Sequence, residues 1–331
     1  MKAMIVRQFG EPGVFVRGEL PVPALRPGHV LIRVAASSVN PVDCKIRAGA
    51  VPAVSPAFPA VLHGDVAGVV EDVGDGVTTL KRGDEVYACA GGVKGLGGAL
   101  AEFMLADAAL VAKKPAMLGM ADAAAIPLVG ITAWEALVDR AKVQPGQRVL
   151  VHAGAGGVGH IGVQLAKNMG AIVSTTVSTD EKAALAARLG ADNVIRYRDE
   201  NVEQYVARCT GGEGFDVVFD TVGGENLPTC FQAARIGGTV VCIAARTTAD
   251  LSLMHAKGLT LHVVLMLLPL LTGRGRMHHG AVLERLARLV DAGRVNVACD
   301  QQTFAFKDVA AAHAKLQSGN ATGKIRLDAA W

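Results

Sequence analysis

Apolar residues follow two regimes along this chain. In the first third they form short β-type runs: Val30–Val34 reads as one strand and Val66–Val73, rich in Gly and Val, as another. Pro21, Pro23, Pro27, Pro41, Pro52, Pro56 and Pro59 exclude long helices there, because proline lacks the amide proton a helix interior needs. Gly74-Asp75-Gly76 and Arg82-Gly83-Asp84 are turn signals. From about Asp122 the pattern becomes strands alternating with helices. Ile131–Lys142 reads as helix. Strands follow at 148–153, 172–177, 193–195, 216–220, 239–243 and 260–265. Asp180–Leu189 is one intervening helix, with Leu185 and Leu189 four apart on one face. Such alternation predicts an α/β protein with a parallel, doubly wound sheet. The C-terminal part is mixed, with helices over Val282–Asp291 and Asp308–Gln317 and a strand over Lys324–Leu327.

The strand ending at Val151 runs into His152-Ala153-Gly154-Ala155-Gly156-Gly157-Val158-Gly159, and a helical pattern opens at once. Gly154, Gly156 and Gly159 keep the G-x-G-x-x-G spacing of a dinucleotide-binding turn. One glycine permits the tight turn, one lets backbone approach the pyrophosphate, and one lets helix pack on strand. Gly157 and Val158 lie in the first helical turn, whose free N–H groups favour an anion.

Length and composition narrow the class. The 331 residues are too many for one ordinary core, so two domains are expected. Half the residues are hydrophobic, which fits a well-buried enzyme. The formal charge is only +3 and the basic residues are scattered, which argues against nucleic acid. Six cysteines without a C-x-x-C pair read as reduced thiols, and Met1–Arg7 has no apolar stretch of signal-peptide length. Both features predict a cytoplasmic protein. Leu259–Leu271, the most apolar stretch, is too short to span a membrane and reads as a buried strand followed by an interface or pocket segment.

Several segments, in order, resemble one family. They are Val39-Asn40-Pro41-Val42-Asp43, Gly64-Asp65-Val66-Ala67-Gly68-Val69-Val70, Arg82-Gly83-Asp84-Glu85-Val86, Gly98–Phe103, Gly130-Ile131-Thr132-Ala133, Ala153–Gly159, Asp216–Gly224 and Thr322-Gly323-Lys324. Together they resemble the medium-chain dehydrogenases/reductases, in the zinc-free quinone oxidoreductase (zeta-crystallin-like) branch, from Met1 to about Leu327. The resemblance implies a GroES-like substrate domain over 1–123 and 266–331 and a Rossmann cofactor domain over 124–265. It also implies an active site in a cleft between them, hydride transfer with NADPH, and a homodimer.

The zinc-dependent relatives carry a catalytic cysteine where this chain has Asn40, and a zinc histidine where it has Gly64. His63 is one residue off, which on a strand points to the other side. No metal site is therefore expected, since catalytic zinc needs about three placed ligands and an open position. Without a Lewis acid nothing stabilises a developing alkoxide, so the expected substrate is an electron-poor acceptor, a quinone or α,β-unsaturated carbonyl.

An NAD-binding strand usually ends near an acid about 20 residues past the glycines. Here Val177 stands in that place, followed by Ser178 and Thr179. Asp180 and Glu181 suit a helix first turn, with Ser178 or Thr179 as the cap. The resemblance gives Ser178, Thr179 and Lys182 to the 2′-phosphate of NADPH, and Tyr197 with Arg196 or Arg198 to the adenine end. Ligands sit beyond the carboxyl ends of parallel strands, so Val222, Ile243, Ala244, Leu265 and Met266 should border ribose and nicotinamide. Family position adds Thr132 under the nicotinamide and Lys324 as a further cofactor contact.

The resemblance puts Asn40 beside the nicotinamide, bonding the substrate carbonyl or the carboxamide. It puts Lys45 where many relatives have a tyrosine. A lysine there could polarise a carbonyl or donate a proton, especially if burial tuned it; it could equally bind a phosphate or point to solvent. Asp43 and Asp65 read as loop-holding residues, Tyr87 as core, and His278 and His279 as loop residues. Two other readings stand beside the metal-free reductase. One is a zinc-type alcohol dehydrogenase. The other is a non-catalytic NADPH-binding regulatory protein, since function lives in the site and not in the fold.

Overall fold

The computed structural model describes residues 1–331. In chain order the first strands are β1 (Lys2–Ile5), β2 (Val16–Glu19), β3 (His29–Val39), β4 (Asp65–Val73), β5 (Glu85–Cys89), β6 (Phe103–Asp107) and β7 (Val111–Lys113). Then come β8 (Arg148–Val151), β9 (Ile172–Val177), β10 (Asn193–Arg196), β11 (Phe215–Asp220), β12 (Ala234–Cys242) and β13 (Thr260–Val263). The last two are β14 (Cys299–Ala305) and β15 (Lys324–Asp328). The chain divides into two units. One contains Met1–Leu128, Leu267–Gly293 and Cys299–Trp331; the other contains Val129–Met266 and Arg294–Ala298. The sequence boundaries put 124–128 with the second unit and 266 and 294–298 with the first, and the structure divides each the other way. For 294–298 side chains give the reason: buried Gln164 bonds both the N–H and the carbonyl of Asn296, and Asn168 donates to the Arg294 carbonyl.

The first unit is built on a seven-stranded sheet in the order β14-β15-β3-β4-β5-β7, with β6 paired to β3. The long β3 is its spine, antiparallel to β4, β6 and β15. Close backbone approach decides one residue type: a Cβ on Gly68 would overlap the Arg33 carbonyl across the β3–β4 pair. Tyr87 is fully buried as expected, and its hydroxyl donates to the Leu283 carbonyl at 2.6 Å. Register then places chemistry. Ile325 faces Val39, which brings Lys324 to the end of β3 beside Asn40.

The second unit is a six-stranded sheet in the order β10-β9-β8-β11-β12-β13, with every pair parallel. The order reverses between β8 and β11, the position where open α/β sheets bind ligands. The expected helix over 131–142 begins earlier, at Pro127–Trp134, and continues as a π-helical stretch, Glu135–Arg140. By length and composition Met120–Arg140 could cross a bilayer, but 72% of its most apolar window is buried in the fold, as in a core helix. β13 is a half-exposed edge strand, not a buried one, with Val263 and Leu265 open to solvent. His278 and His279 lie in the Arg276–Asp291 helix, and His279 is buried.

Candidate active site

In the second unit the glycine turn leads from β8 into the Gly157–Asn168 helix. Its left-handed residue is Ala153, at φ 52, so none of the three motif glycines is spent on turn conformation. They serve close approach. A Cβ on Gly154 would overlap the Thr175 side chain, and one on Gly159 would overlap the Ala153 carbonyl. At Gly156 only Ala153 atoms come near, the closest at 3.1 Å. Gly156 caps the helix without any side-chain bond. The first-turn amides are therefore free for an anion, and no acid stands in that turn.

His152 sits at the end of β8, at the switch point. Its Nδ1 lies 3.3 Å from the Thr176 hydroxyl on β9, and its carbonyl accepts from Thr221 after β11 at 2.6 Å. The Nε2 atom is buried with no partner. Burial lowers this imidazole to about 4, against the opposing pull of Asp220. The Asp220 carboxylate gathers the next turn, accepting from Val222 N, Gly223 N and the Asn226 amide at 2.9–3.0 Å. An uncapped helix end and an orphaned buried nitrogen at the switch point fit a dinucleotide there.

The end of β9 supplies the next group. Thr179 is the cap of the Asp180–Arg188 helix, accepting from Lys182 N at 3.3 Å, which settles the choice between Ser178 and Thr179. Lys182 and Ser178 are both half-buried. Arg196 is tied to Asp180 and Asp199, while Arg198 stacks its guanidinium 5.9 Å from the centroid of the exposed Tyr197 ring. Val222 and Leu265 are exposed, Ile243 and Ala244 half-buried, and Met266 and Thr132 buried.

In the first unit, Asn40, Asp43, Asp65 and Lys324 form one buried cluster. Asn40 is the cap of the Pro41–Arg47 helix, and the Asp43 carboxyl accepts from its backbone N–H at 2.8 Å. The Asn40 amide donates to Asp65 Oδ2 at 2.8 Å and accepts from Lys324. Asp65 also receives the Ser38 hydroxyl and Leu128 N, both at 2.8 Å. Lys324 Nζ donates to the Val39 carbonyl at 3.1 Å and lies 3.5 Å from Asp65 Oδ2. Burial, and then the neighbouring Asp65 charge, push Asp43 up to about 7.

A second buried chain adjoins it. His63 Nε2 and His313 Nε2 are 2.8 Å apart; His63 Nδ1 lies 3.3 Å from Ser37 Oγ, and His313 Nδ1 lies 3.3 Å from Cys44 Sγ. Ser37 must donate to the Asp65 carbonyl, at 2.7 Å, because that oxygen only accepts. The remaining protons then have one arrangement: Cys44 donates to His313, His313 to His63, and His63 to Ser37. Burial keeps both rings neutral, His63 well below its usual range and His313 at about 3.

Comparison with known proteins agrees with this geometry. Residues 26–116 match the alcohol dehydrogenase GroES-like domain, and residues 189–327 match a family described as zinc-binding dehydrogenase. The NADPH-dependent alkenal/one oxidoreductase of Arabidopsis thaliana is 35% identical over 98% of this chain and 78% of its own length. The chain belongs to the medium-chain dehydrogenase/reductase superfamily, in its zinc-free quinone oxidoreductase branch. Among solved structures, an alcohol dehydrogenase superfamily protein from Novosphingobium aromaticivorans matches with TM-score 0.95 at 39% identity, covering 100% of both chains. The Escherichia coli quinone oxidoreductase complexed with NADPH matches with TM-score 0.87 at 30% identity, over 99% of this chain and 100% of that one.

Within this medium-chain reductase, two expected roles change, and for a third residue one of the open alternatives is selected. Lys324 is only 3% exposed and its three protons are committed to Val39, Asn40 and Asp65, so none remains for a cofactor phosphate. Asn40 is fully buried, with its amide engaged by Asp65 and Lys324, so it reaches no substrate carbonyl in this state. Lys45 lies on the exposed side of its helix, whereas a lysine tuned by burial would be enclosed. Sequence reading missed the His63–His313 pair and the open nitrogen of His152. A signal was present for His313: a polar residue on the apolar face of Val309–Gln317, next to Ala312.

Proposed function

We propose that this chain is an NADPH-dependent oxidoreductase that reduces a quinone or an α,β-unsaturated carbonyl by hydride transfer without a metal ion. The observation that carries the reading is the uncapped glycine-turn helix beside a strand end that offers Ser178, Thr179 and Lys182 in place of an acid. NADPH, when bound, supplies a hydride. Gly157, Val158 and Gly159 would hold its pyrophosphate through the open first-turn amides, while Gly154 and Gly156, whose own amides go to the Thr176 and Ala153 carbonyls, would let backbone approach it. Ser178, Thr179 and Lys182 bind the 2′-phosphate, with Tyr197 at the adenine. Thr132, Val222, Ile243, Ala244, Leu265 and Met266 would border the ribose and nicotinamide.

Asn40 and Gly64 stand where zinc-dependent relatives carry ligands, and the Asn40 amide is held by an ammonium, not left open to a cation. An acceptor that is already electron-poor needs no Lewis acid for its developing charge. Asn40 holds the start of the Pro41–Arg47 helix through the cluster it belongs to, and Lys45, exposed on the same helix, remains the candidate for a solvent-fed proton. The free cysteines favour a reducing, cytoplasmic setting. A homodimer through β13 would cover Val263; light scattering on Val263→Lys, compared with wild type, tests that pairing.

The test of function is NADPH consumption by metal-stripped protein with an ortho-quinone and a short enone offered separately. Turnover of either supports the reading. Activity that returns only with added zinc overturns it, and tight NADPH binding without any reduction favours a cofactor-binding protein.

A further inference from the structure

The buried cluster of the first unit holds two carboxyls and one ammonium. Their partners are unequal. Asp65 collects a hydroxyl, an amide N–H and a backbone N–H, and it faces the Lys324 ammonium. Asp43 has the Asn40 backbone N–H and the edge of the Asn40 side chain, and no cation of its own within ion-pair distance. Two ionised carboxylates against one ammonium would leave an uncompensated charge in a buried site. The proton belongs on the carboxyl with fewer donors.

We propose that Asp43 is the protonated member of this cluster and that its ionisation slows reduction by setting an unpaired negative charge against Asn40. This rests on the reductase reading, in which the family resemblance gives the Asn40 segment to the acceptor side. Hydride addition to an enone or quinone builds negative charge on the acceptor oxygen. A neutral cluster (Lys324 positive, Asp65 negative, Asp43 uncharged) does not oppose that charge; an ionised Asp43 does. Asp43 is thus a positioning residue, acting through Asn40.

Every neighbouring titratable group points the same way. On its own helix, Cys44 is pushed by burial up to about 12, and the buried Arg47 guanidinium donates to Gln317. Across β5, burial holds the Cys89 thiol well above its usual range. His63, before β4, and His313, on the Val309–Gln317 helix, are both held neutral by burial. Asp65 and Lys324 are paired with each other. Asp43, raised to about 7, is the group left to change charge near neutrality.

The experiment is an infrared pH titration of the full-length protein, run beside a pH profile of kcat/KM for NADPH-dependent enone reduction. A buried carboxylic-acid band should persist to near neutral pH, vanish above it, and be missing in Asp43→Asn. If that variant does not fold, wild-type protein with carboxyl-labelled aspartate assigns the band by its isotope shift. In wild type, kcat/KM should fall about tenfold per pH unit above the same inflection, and Asp43→Asn should lose the inflection. Absence of an aspartic-acid band near neutrality overturns the proposal, and so does an unchanged pH profile in Asp43→Asn. No reduction of any acceptor would instead sink the reductase reading and the kinetic link with it, while the band would still decide where the proton sits.

Discussion

The glycine turn of the second unit and the buried cluster of the first treat polar groups in opposite ways. The turn leaves groups unsatisfied: an uncapped helix end and the lone Nε2 of His152. The cluster satisfies nearly everything. Asn40, Asp65 and Lys324 consume one another's donors and acceptors, and the Cys44–His313–His63–Ser37 chain has one proton arrangement. The first pattern suits a ligand that comes and goes, because binding completes what folding left open. The second suits a scaffold that must not move, since a half-satisfied buried network costs more than an apolar one. Changes in the cluster should therefore register as stability, and changes in the turn as affinity.

The largest effect should come from Lys324→Met. It strands the Asp65 carboxylate in a fully buried position, and breaking one side of such a pair costs about 3–5 kcal/mol. Urea unfolding measures it. A loss below about 1 kcal/mol would mean that the cluster is not the scaffold described above.

Two alanines sharpen the turn side of the comparison. In Gly159→Ala the new methyl meets the Ala153 carbonyl, a backbone atom that cannot step aside, so stability should fall by about 1–3 kcal/mol. In Gly156→Ala the nearest atom is 3.1 Å away, and the fold should lose much less. The Gly156 methyl nevertheless fills the approach a phosphate would use, so NADPH binding should weaken about tenfold or more by fluorescence titration. Equal stability losses in the two variants, with unaltered NADPH affinity in Gly156→Ala, would erase the distinction between packing and ligand glycines.

The same contrast explains what could be read from the sequence. The turn is coded locally, by glycines within a few residues of a strand and a helix, and its place in the fold is legible. Even there the left-handed residue was misassigned, because an alanine, Ala153, takes it. The cluster is coded by register. Asn40, Asp65 and Lys324 meet only because β3 pairs with β4 and β15, and the His63–His313 bond spans 250 residues. Motif spacing cannot show that a lysine near the C-terminus is buried under a distant asparagine. The histidine pair 278–279 was misplaced for a related reason: Gly273 and Gly275 look like loop, but the helix opens immediately after them, at Arg276.

Acid tests the cluster by linkage. His63 and His313 are neutral in the fold with depressed pKa values, about 3 for His313, while an unfolded histidine titrates near 6.5. Below about pH 6.5 the unfolded chain takes up protons that the fold refuses. Each histidine then removes up to about 1.4 kcal/mol per pH unit, down to its folded value. His152, at about 4, adds to the loss. Asp43 works the other way: its folded value, about 7, lies above its unfolded one, so its cost is fully present above neutrality and is relieved as pH falls toward 3.8. Urea midpoints from pH 8 to 5 should rise slightly to near neutrality and then fall, and Asp43→Asn should abolish the rise and steepen the fall. A midpoint flat from pH 7 to 5 would mean that the histidines are not held neutral.

The smallest effect should fall on the turn side, at Lys182. The lysine is half-buried just past the Thr179 cap, on a helix whose first turn also carries Asp180 and Glu181. Arg196 occupies Asp180, which lessens the negative field a phosphate would meet, while no carboxylate is within ion-pair distance of Lys182. A cation without a carboxylate partner, in the first turn of the helix that Thr179 caps, is arranged for a phosphate, by the same logic that leaves the other helix end uncapped. Lys182→Ala should weaken NADPH binding about tenfold, roughly 1.4 kcal/mol, leave NADH binding within about twofold, and leave the urea midpoint unchanged. Equal weakening of both cofactors would place Lys182 on the shared part of the dinucleotide. A lowered midpoint with intact selectivity would make it an ordinary helix lysine, and the preference for NADPH would then have to come from Ser178 and Thr179 alone.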